Sequence, residues 1–83
     1  MEVSVRLFAT FRQEAGWAEK RIEVPEETTV SGLMAILEAE QGLRLIGRPV
    51  YAAVSQEYTT QDRVLQAGDE VALFPPVSGG RGC

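Results

Sequence analysis

Hydrophobic and polar residues alternate along the first part of the chain. Val3, Val5 and Leu7 are separated by polar residues, and this period of two predicts a strand with one buried face. The same alternation over residues 20–24 predicts a second strand that pairs with the first. It ends at Pro25, because proline lacks the N–H that a strand ladder needs.

A helical period replaces this alternation in the middle of the chain. Thr29 is a suitable N-cap residue, and Gly42 stands where a C-cap glycine belongs. Between them, apolar residues at i, i+3, i+4 and i+7 predict a helix with one apolar face: Val30, Leu33, Met34 and Leu37. Leu33 is therefore expected in the core. Residues 9–16 are predicted to form a much shorter helical turn that ends at a glycine.

Three further strands are predicted in the second half of the chain, at residues 51–54, 58–60 and 70–74. The Ser-Gln-Glu segment between the first two suits a turn, and Pro75 and Pro76 stop the last strand. The order β-β-α-β-β-β indicates the α+β class, with a mixed sheet of about five strands packed on one main helix. That helix supplies the crossover that returns the chain to the first strand.

The length of 83 residues corresponds to one domain. Residues 1–77 are predicted to form this domain. Residues 78–83, with the sequence Ser-Gly-Gly-Arg-Gly-Cys, contain nothing that could pack against it. They are predicted to form a flexible C-terminal tail.

The charge and the residue types exclude several classes of function. Twelve acidic and eight basic residues give a net charge of −4, which disfavours nucleic acid as a partner and favours a basic patch on a protein. The chain has no histidine, which is the commonest general base and metal ligand. We therefore expect no catalysis by side chains and no bound metal or cofactor. The carboxylates are expected to form a solvated surface.

The cysteine content and the hydropathy indicate a compartment. The one cysteine, Cys83, cannot form an internal disulfide, which fits a reducing cytosol. The N-terminus does not read as a signal peptide, and no apolar run is long enough to span a membrane. We expect a cytoplasmic protein with no membrane partner.

The candidate chemistry lies in the backbone after the last strand. Gly79 and Gly80 follow the Pro-Pro step by a few residues. Because glycine lacks Cβ, such a tail can thread a narrow channel and adopt positive φ inside it. A Gly-Gly pair alone is more often a disordered chain end, so its context has to decide.

The sequence around the Gly-Gly pair resembles that of one protein family. The segment from Gly68 to Gly80, Gly-Asp-Glu-Val-Ala-Leu-Phe-Pro-Pro-Val-Ser-Gly-Gly, is similar to the C-terminal signature of the small subunit of molybdopterin synthase. Val-Arg-Leu-Phe-Ala at residues 5–9, the helix capped at Thr29, and Ala-Ala-Val at residues 52–54 follow the family's order. The resemblance implies a ubiquitin-like β-grasp fold, which the thiamin-pathway sulfur carriers share.

The resemblance also implies a role for the backbone carboxyl of Gly80, with Gly79 before it. An E1-like adenylating enzyme would activate this carboxyl with ATP, and sulfide would then replace AMP and leave a thiocarboxylate. The large subunit of the synthase would receive the tail and its sulfur, which is used to make molybdopterin. The chain would be a sulfur carrier within a sulfurtransferase complex and not itself an enzyme.

The residues after Gly80 depart from the family pattern, which ends at the second glycine. Some related carriers have short extensions that a metalloprotease removes, so residues 81–83 are predicted to be trimmed. A direct role for Cys83 as a sulfur donor is the less favoured alternative, since only Arg81 lies near enough in sequence to activate its thiol.

Outward-facing aromatic residues are the second functional signal. Phe8 and Phe74 are predicted to lie on adjacent strands and to face the same side, with Tyr58 beside them. A contiguous exposed apolar patch marks an interface. Together with Pro75 and Pro76, these residues are predicted to bind the activating enzyme and the synthase subunit.

Other functions are compatible with the same sequence. A ubiquitin-like protein modifier would join target lysines through the same activated Gly80. A sulfur carrier for thiamin synthesis or tRNA thiolation would also need this group. An inert β-grasp interaction module would not be activated at all.

Overall fold

Two helices and five strands are formed within residues 1–76, the part of the chain that the computed structural model describes. In chain order the elements are β1 Glu2–Leu7, α1 Ala9–Ala15, β2 Glu19–Glu23, α2 Val30–Gln41, β3 Tyr51–Val54, β4 Glu57–Thr59 and β5 Glu70–Phe74. Residues 77–83, which include the predicted tail, lie outside the described part.

The five strands form one mixed sheet in the order β2-β1-β5-β3-β4. β1 and β5 run parallel, with Val5 opposite Val71, and the other neighbouring strands pair antiparallel. A parallel pair needs a long connection, and here that connection contains α2. The predicted α+β class and β-grasp fold are therefore confirmed, since a mixed sheet of five strands packs on one main helix.

The core lies between one face of the sheet and the apolar face of α2. Alternate residues of β1 and β5 point into it, and Val5, Val71 and Leu73 are fully buried. Leu33 of α2 is also fully buried, as predicted. Each such side chain contributes roughly 1.5–3 kcal/mol on leaving water, so the contact between helix and sheet is a main source of stability.

The caps of α2 are those that the sequence indicates. The Thr29 Oγ1 accepts a hydrogen bond from the Gly32 N–H at 3.0 Å, which satisfies one of the free N–H groups of the first turn. At the other end, Gly42 has a φ of 71°, in the left-handed region that glycine adopts without steric cost.

α1 is better formed than the short helical turn that the sequence predicts. It has seven residues and ends at Gly16, as expected. Its Phe11 is only 1% exposed and belongs to the core. This contribution was not predicted, because one apolar residue in a short segment shows no periodicity. The loops also bury large apolar side chains, namely Leu43, Leu45, Val50 and Leu65.

β4 begins one residue earlier than predicted, because the turn before it contains two residues and not three. Ser55 and Gln56 form this turn, with φ values of 52° and 72°. Glu57 already pairs with Val54 across the hairpin. The predicted strand at residues 58–60 is thus shifted by one position.

Candidate functional site

The candidate site is on the face of the sheet turned away from α2, which we call the open face. Alternation along β5 places Ala72 and Phe74 there, while the residues between and before them enter the core. Pairing in register sets Tyr51 opposite Phe74 and Tyr58 opposite Ala53. The open face therefore collects aromatic side chains from three adjacent strands.

Four aromatic rings on this face form one cluster, which we call the aromatic patch. Phe74 is at its centre, and its ring centroid lies 6.3 Å from that of Phe8, 6.0 Å from that of Tyr51 and 5.8 Å from that of Tyr58. All three contacts have edge-to-face geometry, which aromatic pairs prefer. Tyr58 exposes 83% of its surface, Tyr51 55% and Phe8 42%. Such a contiguous exposed cluster has the character of an interface.

The structure brings together the three aromatic residues that the sequence singled out and adds Tyr51. The sequence places Tyr51 in a strand but gives no sign that it is opposite Phe74, because that depends on the register between β3 and β5. The role of Phe8, Tyr58 and Phe74 in binding partner proteins remains a prediction.

Phe8 reaches the patch from the junction of β1 and α1, whereas the sequence predicted it within a strand. It is the N-cap residue of α1 and has an extended backbone. Its N–H donates a hydrogen bond to the Leu73 carbonyl at 3.3 Å. This bond continues the pairing of β1 with β5 by one residue and so fixes the Phe8 ring beside Phe74.

A shallow groove of about 660 Å³ crosses the patch. The small side chains of Ala53 and Ala72 leave room between the larger rings, and Pro75 and Pro76 also belong to the lining. Within residues 1–76, the groove is lined by Phe8, Ala9, Ala53, Gln56, Tyr58, Ala72, Phe74, Pro75 and Pro76. A groove of this kind can receive an apolar side chain or an extended segment of a partner protein.

Charged residues of β1, β2 and β5 form ion pairs on the open face. The Arg6 guanidinium lies 5.7 Å from the centroid of the Phe8 ring, and its Nη1 is 3.5 Å from the Glu70 carboxylate. Arg21 and Glu2 form a looser pair at 4.0 Å. Exposed pairs contribute about 1 kcal/mol or less to stability. The Arg6–Glu70 pair gives the patch a polar border beside Phe8, like the rim of a protein interface.

The two glycines predicted to carry the chemistry, Gly79 and Gly80, lie outside the described residues. What the structure describes is where the chain leaves the sheet. β5 ends at Phe74, in the middle of the patch, and is followed by the half-buried Pro75 and the exposed Pro76. Any tail that follows therefore starts beside the groove.

Within residues 1–76, no group of three or more metal-ligating side chains occurs, and no polar or charged residue is buried. Among the same residues, no helix has the length and hydropathy needed to cross a membrane.

Two carboxyl groups on the helices have perturbed acidities, but neither lines the groove. Hydrogen bonds from the Ile46 and Leu45 N–H groups, at 2.6 and 2.9 Å, lower the pKa of Glu38. A hydrogen bond from Arg48 lowers the pKa of Glu14. Both contacts fix the loop after α2, so they have a structural role.

Comparison with known families decides what kind of β-grasp protein this is. The sequence profile described as the ThiS family matches residues 5–80, which includes the aromatic patch and the Gly-Gly pair. The chain belongs to the ThiS family. Within it, a molybdopterin synthase sulfur carrier subunit from Chlamydomonas reinhardtii is 37% identical over 83 residues, which cover 96% of this chain and 100% of that protein.

Solved structures with similar folds include proteins of related description. A putative molybdopterin converting factor, subunit 1, from Pyrococcus furiosus has a TM-score of 0.81 and 33% identity, over 93% of this chain and 99% of that one. SAMP1 from Haloferax volcanii gives a TM-score of 0.78 and 28% identity, over 96% and 100%. In a complex of subunits 1 and 2 of molybdopterin-converting factor from Helicobacter pylori, the matching chain has a TM-score of 0.68 and 27% identity, over 96% and 100%.

Proposed function

We propose that this chain is a sulfur carrier of molybdopterin biosynthesis and that it carries sulfur as a thiocarboxylate on Gly80. The observation that carries this proposal is the family match, which extends through residue 80, together with a relative of 37% identity that is a molybdopterin synthase sulfur carrier subunit. The presence of Pro75 and Pro76 in the groove lining supports it, because a partner bound in the groove would lie next to the point where the tail begins.

The chemistry of the carrier is that of an activated backbone carboxyl. The Gly80 carboxylate attacks the α-phosphate of ATP, pyrophosphate leaves, and an acyl adenylate forms. Sulfide then attacks the acyl carbon and AMP leaves, which yields the thiocarboxylate. Gly79 and Gly80 present no side chain to the active site in which this happens, so the tail can lie close to the nucleotide. The catalytic groups belong to the partners, and the carrier itself is not an enzyme.

The aromatic patch is proposed to bind two partners in turn. One is an E1-like adenylating enzyme, and the other is the large subunit of molybdopterin synthase, in keeping with the two-subunit complex from Helicobacter pylori. Aromatic side chains are enriched at the energetic centres of protein interfaces, which supports Phe74 as the anchor. Both binding steps are proposed to take place in the cytoplasm, because a chain with a single cysteine forms no internal disulfide and so fits a reducing compartment.

Residues 81–83 require one further step. In a chain that continues past Gly80, its carboxyl is part of a peptide bond and cannot be adenylated. We therefore include a trimming metalloprotease among the partners, which would cleave after Gly80.

A protein modifier is the second candidate function, and the similarity to SAMP1, a small archaeal modifier protein, favours it. The same Gly80 adenylate would then be attacked by the amine of a target lysine. The two functions differ in product, because one gives a thiocarboxylate and the other an isopeptide bond.

The test uses the chain ending at Gly80 with an E1-like enzyme, ATP and sulfide, followed by intact-mass measurement. A sulfur carrier gains the mass difference between sulfur and oxygen. Incubation of that product with the large subunit and its pterin substrate should return the carrier to its original mass. Isolation of the chain mainly as larger conjugates from its own cells would favour the modifier instead.

A further inference from the structure

The hairpin turn between β3 and β4 has a backbone that its residues do not favour. Both central residues, Ser55 and Gln56, have positive φ, at 52° and 72°. A two-residue turn of this kind usually contains Asn-Gly or Asp-Gly. Glycine has no Cβ to crowd the backbone in the left-handed region, and Asn and Asp tolerate that region better than other residues that have a side chain. Ser55 and Gln56 are neither Gly, Asn nor Asp, so the turn is strained.

The strained turn is attached to the strand that carries the centre of the patch. The Ser55 N–H donates a hydrogen bond to the Glu70 carbonyl at 2.9 Å. This bond extends the pairing of β3 with β5, in which Val54 is opposite Val71. The position of Gln56 relative to Phe74 is therefore set by the sheet and not by a loose loop.

Gln56 brings a polar group to an otherwise apolar groove. Among the described residues, the other side chains that line the groove are hydrocarbon, apart from the Tyr58 hydroxyl. Gln56 is exposed, and its carboxamide makes no hydrogen bond within residues 1–76. In apolar binding sites, a few fixed polar groups determine which ligand binds and in which orientation. Backbone strain also concentrates at such functional positions.

We propose that Gln56 is a specificity-determining residue of the groove, whose carboxamide pairs with a peptide group of the partner segment that covers Phe74. A carboxamide contains both a donor and an acceptor. Its Nε2 can donate to the partner's carbonyl while its Oε1 accepts from the partner's N–H. This inference rests on the proposed function of the aromatic patch as the surface that binds the adenylating enzyme.

Two substitutions at residue 56 separate this contact from the stability of the turn. Gln56→Met keeps the length of the side chain and removes the hydrogen-bonding groups. Gln56→Asn suits the left-handed backbone better but has a carboxamide that is one methylene shorter, so it should raise Tm. Both should weaken binding to the adenylating enzyme by roughly ten-fold or more, because a peptide group of the partner is left unpaired on burial. Affinity is measured by calorimetric titration of the enzyme with the carrier.

The control is Ser55→Asn, which reduces the backbone strain at the neighbouring residue with positive φ. Ser55 is not among the residues that line the groove. The substitution should raise Tm and leave the affinity unchanged. Phe74→Ala is measured in parallel. If Phe74→Ala weakens binding while Gln56→Met and Gln56→Asn bind as the unmodified chain does, the role of Gln56 is overturned and the proposed function stands. If Phe74→Ala also binds normally, the patch does not bind the adenylating enzyme, and the roles proposed for the patch and for Gln56 both fail, whereas the thiocarboxylate on Gly80 is tested separately by intact mass.

Discussion

Tyr51 and Phe74 are paired across β3 and β5, and their ring centroids lie 6.0 Å apart with the ring planes at 67°. Phe8 and Tyr58 contact Phe74 from other sides. Phe74 is therefore the ring that holds the patch together, and it is also the last residue of the sheet before the Pro-Pro step. A partner that binds over Phe74 would lie close to the start of the tail.

Phe74→Ala should weaken binding to the adenylating enzyme by about 2 kcal/mol or more, as expected for a central aromatic anchor. The domain should remain folded, because Phe74 faces away from the core that α2 covers. Calorimetric titration gives the affinity and a thermal melt gives the stability. Ile46→Ala is a matched control, since Ile46 is 56% exposed and does not line the groove. Equal affinities for the two variants would make the patch an ordinary surface.

Leu33→Ala tests the fold. Leu33 is fully buried between α2 and the sheet, and its truncation should lower the free energy of unfolding by about 2–5 kcal/mol through lost burial and the cavity left behind. Urea denaturation measures this change. Glu40→Ala on the exposed side of the same helix should change stability by less than about 0.5 kcal/mol. A Leu33→Ala protein as stable as the parent would contradict the packing of α2 described above.

The sequence is sufficient for the parts of the site that follow from local periodicity. Alternation along β5 indicates that Phe74 faces outward, and the same pattern in β1 does so for Phe8. It is not sufficient for Tyr51, whose place opposite Phe74 depends on how two distant strands align. Gln56 was missed for a related reason: a two-residue turn with positive φ is not evident when neither residue is Gly or Asn.

In the core, too, the sequence predicts only the residues that belong to a periodic pattern. Leu33 was predicted because it lies within a helical repeat of four apolar residues. Leu43, Leu45 and Leu65 are just as deeply buried, but they are in connections without any repeat. In a domain of this size the helix and sheet alone cannot cover the core, so the loops have to contribute.

Stability should decrease in acid partly through Glu38. Hydrogen bonds from Ile46 and Leu45 hold its pKa below the ordinary value of 4.5 in the folded state. A lowered folded pKa means that the contribution of Glu38 is fully present above about pH 4.5 and is lost as the pH falls through the folded pKa. Glu38→Gln should therefore show a smaller loss of stability than the parent chain between about pH 5 and pH 3. Urea denaturation across this range measures it, and parallel curves for the two proteins would contradict the assignment.

The remaining prediction concerns residues 81–83. Adenylation requires a terminal carboxylate on Gly80, and a site shaped for Gly-Gly would also have to bury the charged Arg81 side chain, which is costly without a partner charge. In ATP–pyrophosphate exchange with the E1-like enzyme, the chain ending at Gly80 should be active and the 83-residue chain inactive. A chain ending at Gly79 controls for length, since it has a free carboxylate one residue short of the reacting position and should exchange poorly. Equal exchange by the chains ending at Gly80 and at Cys83 would show that no trimming is needed. It would also make the carboxyl of Cys83 the group that is activated.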